Sequence, residues 1–78
     1  MTTWKISHEG RSRMDNGDTA QDVYKDGNIF SSGISWSDAS DLIRSKIKPG
    51  DIYEEQEDGF VYFSATYEEI IQHWMKYG

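Results

Sequence analysis

The sequence predicts an α+β fold, a two-layer sandwich in which an antiparallel-rich sheet of about five strands carries two helices on one face. The expected order is β-β-β-α-β-β-α. The first observation behind this is an internal repeat: Asp22-Val23-Tyr24, Asp26-Gly27, Ile29-Phe30 and Ser32 return as Asp51-Ile52-Tyr53, Asp58-Gly59, Val61-Tyr62 and Ser64. The second is that each copy runs into a segment of helical periodicity, giving two ββα units. The third is an alternating segment ahead of both. With 78 residues the chain has room for one domain, 1–78, organised as an N-terminal strand 3–8, a mobile loop 9–19, a ββα unit 20–48 and an acidic ββα unit 51–78.

In the first strand Trp4, Ile6 and His8 alternate with Lys5 and Ser7, the period of a strand with one buried face. From Glu9 to Thr19 the chain is polar, bears two glycines and has no apolar period, the pattern of a mobile loop. Two short strands then flank Asp26-Gly27, a dipeptide suited to the positive φ angles of a tight hairpin. Ser35 offers a side-chain oxygen to the first amides of a helix, and Asp38 places negative charge at its positive end. Trp36, Ala39, Leu42, Ile43 and Ile47 form the apolar stripe of that helix, and Arg44, Lys46 and Lys48 favour its carbonyl-rich end before Pro49-Gly50.

The second unit repeats the plan around Asp58-Gly59. Its first arm, bearing Glu54, Glu55 and Glu57, reads as an edge strand protected by charge. The second arm, Phe60-Val61-Tyr62-Phe63, reads as a central strand buried on both faces. Thr66 and Glu69 have the spacing of a capping box, and Tyr67, Ile70, Ile71, Trp74 and Met75 supply the stripe of the second helix.

The net charge of −6 is unevenly placed. Residues 1–48 carry seven acids and seven bases, whereas residues 49–78 carry Asp51, Glu54, Glu55, Glu57, Asp58, Glu68 and Glu69 against Lys76 alone. A field of one sign repels nucleic acid and steers cationic partners inward. Those seven carboxylates are therefore the expected partner-binding residues. Spaced along a rigid surface they imitate the phosphates of DNA, and the expected partner is a protein with a basic surface. The function this implies is that of a small acidic inhibitor or regulator of a nucleic-acid-handling protein, similar in size and charge to phage or mobile-element inhibitors. An alternative is a nucleic-acid-binding domain that uses Arg11, Arg13, Arg44, Lys46 and Lys48.

Catalysis and cofactors are not expected. There is no phosphate-binding glycine loop, no nucleophile elbow and no cysteine, and His8 and His73 stand far apart in sequence. Asp15-Asn16-Gly17-Asp18 lacks the ligand alternation and closing glutamate of a calcium loop. The eleven aromatic residues are read as core material, since large rings remove much apolar area from water at little entropic cost. The absence of cysteine and of a long apolar run suits a cytoplasmic protein, monomeric or homodimeric, away from membranes.

Overall fold

A computed structural model describes residues 1–8 and 19–77. The expected loop lies outside the described residues except for Thr19, and so do Arg11, Arg13 and the candidate calcium loop. The elements are β1 (Thr3–Ser7), β2 (Gln21–Lys25), β3 (Asn28–Ile34), α1 (Trp36–Lys46), β4 (Ile52–Glu57), β5 (Phe60–Thr66) and α2 (Tyr67–Tyr77). They form the expected two-layer α+β arrangement around a five-stranded sheet of order β3-β2-β1-β4-β5.

The local signals act as their chemistry requires. Asp26 and Gly27 adopt φ of 50° and 83°, and Asp58 and Gly59 adopt 52° and 79°, so both hairpins turn through a pair of left-handed residues. The Ser35 hydroxyl accepts from the Asp38 amide at 3.1 Å and opens α1. At the start of α2 the capping box closes in both directions, the Thr66 amide donating to Glu69 Oε1 at 3.0 Å and the Glu69 amide to Thr66 Oγ1 at 3.3 Å. These hydrogen bonds hold the Glu69 carboxyl below its usual range.

β1 sits in the middle. It pairs antiparallel with β2, in a register matching Ile6 with Val23, and parallel with β4, matching Trp4 with Tyr53. Because β2 and β4 therefore run in opposite directions on its two sides, the ββα units are arranged about β1 as if by a two-fold axis normal to the sheet. Such an axis leaves both helices on one face. Each helix covers its own half, α1 over β1 and β2, α2 over β4 and β5. Trp4, Ile6, Val23, Tyr53 and Ala65 from the sheet meet Ala39 and Ile43 of α1, Ile47 at its C-cap and Ile70 of α2 in one core.

Asp51 locks the start of the second unit to β1. Its carboxylate accepts from the Thr2 amide (3.0 Å), the Lys48 amide (3.0 Å) and the Trp4 indole (3.3 Å). Burial pushes this carboxyl up, but the three hydrogen bonds outweigh that and hold it below its ordinary value.

The two arms of the second hairpin are placed the other way round from the expectation. β4 is internal, between β1 and β5, and β5 is an edge. With both helices on one side, Val61 has no second layer to cover it, and Phe60 and Tyr62, at the start of this edge strand, stay exposed as well. Met75 and Trp36, counted in the helical stripes, are exposed as well.

Candidate partner-binding site

The ends of β1 and β4, the start of β5 and the N-terminus of α1 meet at one end of the sheet. Directly after β1, His8 donates its amide to the Gln56 carbonyl at 2.8 Å, which extends the parallel ladder and fixes the ring's position. That ring stacks on Trp36 (centroids 4.7 Å apart, 24° between planes) and, more offset, on Tyr62 (5.8 Å, 26°).

Tyr62 reaches this cluster because of a bulge. Glu55 lies opposite Phe63 and Gln56 opposite Val61, so Tyr62 is an extra residue between two matched pairs. Regular alternation would send Tyr62 to the face opposite Phe63, whereas the bulge re-aims it toward the helices. Its hydroxyl donates to Glu55 Oε1 at 2.9 Å and lies 2.6 Å from His8 Nε2. A phenol has one proton, so with that proton given to Glu55 the oxygen pairs with His8 as an acceptor, which requires the Nε2–H tautomer of the imidazole. The second oxygen of Glu55 accepts from the Tyr53 hydroxyl at 2.6 Å.

Burial and then the Glu55 hydrogen bond raise both phenols above their ordinary value, Tyr53 further than Tyr62. Both phenols donate to Glu55, so the row His8, Tyr62, Glu55, Tyr53 is a chain of fixed polar groups edged by aromatic rings. Two cavities open beside it. One of about 240 Å³ is lined by His8, Thr19, Gln21, Glu57 and Tyr62. The other, about 200 Å³, lies between the helices against Trp36, Arg44, Glu55, His73 and Trp74. Among the described residues no group of His, Cys, Asp and Glu is arranged to hold a metal ion.

The seven carboxylates expected to form one partner surface do not share a face. Glu57 and the turn residue Asp58 belong to the end just described. Glu55 points to the helix side, and Glu54, next to it on β4, to the open side of the sheet, where it lies across from Lys5 and Ser64. Asp51, Glu68 and Glu69 are at the other end of β4. Asp51 is buried, with its oxygens engaged by β1 and Lys48, and Glu69 caps its own helix. The physical reason is that helix α2 starts where β5 ends, a full strand length from the Asp58 turn.

The alternative basic set is also divided. The Arg44 guanidinium lies over the Trp74 ring at 4.9 Å, between the helices, while Lys46 lies over Phe30 at 5.8 Å, at the far end of α1 with Lys48. The residues that sequence reasoning missed are His8, Trp36, Tyr53 and Tyr62. Trp36 reads as part of a helical stripe, Tyr62 as part of a buried strand and Tyr53 as core material, and the bulge that brings Tyr62 to the others depends on pairing with β4, which no local pattern reveals. The only prior signal was His8 itself, a polar ring continuing the core-facing alternation of Trp4 and Ile6.

No family model, no curated protein and no solved structure matches the chain.

Proposed function

We propose that the protein is a non-catalytic binding module that engages a protein with a basic surface at the end of the sheet carrying Glu57 and Asp58. The observation that carries this reading is the set of exposed rings beside those carboxylates: Phe60 is 76 % exposed, Tyr62 54 % and Trp36 41 %. Exposed aromatic groups around fixed polar ones are the composition of binding hot spots, in which the rings supply buried area and the charges supply steering. Glu55 supports the rings from below through Tyr62, and Glu54 extends the negative field to the open face of β4.

A partner that handles nucleic acid presents the basic groove such a surface fits, so the module acts as an inhibitor or regulator of that partner. A reducing, cytoplasmic setting suits a chain without cysteine. No helix among the described residues is long and apolar enough to cross a membrane.

The test is capture of partners from a native extract, repeated with two variants. Combined replacement of Glu54 and Glu57 by Gln and Asp58 by Asn is expected to slow association, with the difference shrinking as salt rises. Phe60→Ser is expected to speed dissociation. A captured protein that both variants retain with unchanged rates rejects the reading.

A further inference from the structure

The end of the sheet opposite the proposed partner site holds a cavity of about 360 Å³, lined by Trp4, Lys25, Phe30, Lys46, Lys48 and Asp51 among others. We infer that it binds a nucleotide, a flat base carrying phosphate. This inference is independent of the proposed partner and of the carboxylates at the other end.

Three elements bring the site together. Lys25 closes β2, Phe30 lies on β3, Lys46 closes α1 and Lys48 follows it. Trp4 and Phe30 meet edge to face, centroids 5.2 Å apart at 86°. Trp4, 3 % exposed, is the floor, and Phe30, 42 % exposed, is a partly open wall. The Lys25 ammonium lies 5.6 Å from the Trp4 ring and that of Lys46 5.8 Å from Phe30, so two cations border the aromatic pair.

The local charge balance favours an anion. Asp51 is the carboxylate among the lining residues, and its oxygens already accept from the Thr2 amide, the Lys48 amide and the Trp4 indole. Its hydrogen-bonding capacity is thus directed to the backbone and the indole, and three lysines line one concavity in a chain of net charge −6. The α1 C-terminus accounts for Lys46 and Lys48, since cations favour that end of a helix. It does not account for Lys25, which comes from the sheet. Convergent ammonium groups fit phosphate oxygens, and an exposed ring fits a base, whose stacking is tolerant of base identity. A volume near the lower limit of small-molecule sites admits one nucleotide unit.

The chemistry is shared by a free mononucleotide and by the phosphorylated end of a single strand. The experiment is amide and indole NMR on the intact chain, titrated separately with inorganic phosphate, adenosine, AMP, and a short oligothymidylate with and without a 5′-phosphate. AMP is expected to shift the Trp4 indole and Phe30 amide signals saturably, at an affinity about tenfold or more above phosphate or adenosine alone. Tighter binding of the phosphorylated oligonucleotide than of AMP assigns the site to a strand end, and equal or weaker binding assigns it to the free nucleotide. Lys25→Gln and Lys46→Gln are each expected to weaken AMP several-fold. Phe30→Leu is expected to abolish the advantage of AMP over phosphate while the dispersed spectrum shows the fold intact. The combined replacement of Glu54, Glu57 and Asp58 is expected to leave AMP binding unchanged. Non-saturating shifts, equal affinity for AMP and phosphate, or an unaltered preference in Phe30→Leu overturns the inference.

Discussion

Trp4 and Asp51, 47 residues apart, are joined by an indole-to-carboxylate hydrogen bond of 3.3 Å that ties β1 to the start of the second ββα unit. The same carboxylate takes two backbone amides, so one side chain replaces water for three buried or half-buried donors. Removing it leaves those donors without an acceptor in a place solvent reaches poorly.

Asp51→Asn is therefore expected to cost about 1–3 kcal/mol at neutral pH, because the amide nitrogen of Asn confronts N–H groups that the carboxylate accepted. The cost depends on pH with a definite sign. The native carboxyl is held below its ordinary value of 3.8, so its contribution is complete above the unfolded value and disappears as pH falls through the native one. Denaturant unfolding of both proteins across the acid range checks this: the gap between them should be constant toward neutrality and narrow in acid.

The phenols of Tyr53 and Tyr62 give the opposite dependence. Burial and the Glu55 carboxylate raise both above 10.0, so their contribution is complete below that pH and is lost as pH rises past it toward the native values. A near-ultraviolet titration of the native protein should show two late-ionising tyrosines. In Glu55→Gln both should ionise at lower pH, since the charge that opposes the phenolate is gone.

Gly27→Ala isolates a backbone cost. At φ of 83° the residue is left-handed, and a methyl group there meets no heavy atom within 4 Å. The expected loss is about 1–2 kcal/mol, entirely conformational. Asp26→Ala, in the same turn, should destabilise for a second reason, since Asp26 Oδ1 accepts from the Thr3 amide at 2.8 Å. Thermal unfolding of the two single variants and their combination separates these terms.

In α2, Ile70 and Trp74 both pack against the core but differ in burial. Ile70 is enclosed in the core, and Ile70→Ala is expected to cost about 2–5 kcal/mol. Trp74 is only partly buried, resting edge-on against Tyr53 at 5.5 Å under the Arg44 guanidinium. Trp74→Ala should cost less than a buried tryptophan does, about 2–3 kcal/mol. Arg44→Ala should recover part of that loss as its own, measurable as non-additivity in a double-mutant cycle.

What the sequence made legible was local. Ser35 with Asp38, Thr66 with Glu69, and the Asp-Gly turns act within four residues, so their geometry follows from chemistry that neighbours cannot easily override. The fold class followed from counting such units. The position of β4 did not, because the charge that reads as edge protection is accommodated internally: Glu55 by two tyrosine hydroxyls and Glu54 on the uncovered face. Tyr62 was illegible for a related reason. Its direction is set by a bulge against β4, and a one-residue register change is invisible until the partner strand is known. The carboxylates of residues 51–69 are near in sequence but separate in space, since a strand and a helix carry them to different ends.

The central place of β1 has a consequence for how the chain assembles during synthesis. β1 is translated ahead of both neighbours, its hairpin-side neighbour β2 following closely, but its parallel neighbour begins with Thr3 opposite Ile52. Until β4 is translated, the strand destined for the middle of the sheet remains an open rim with unpaired amides and carbonyls, which is the arrangement other nascent chains add to. Completion then waits on a long-range closure, so docking of the later half is expected to be slower than formation of either hairpin.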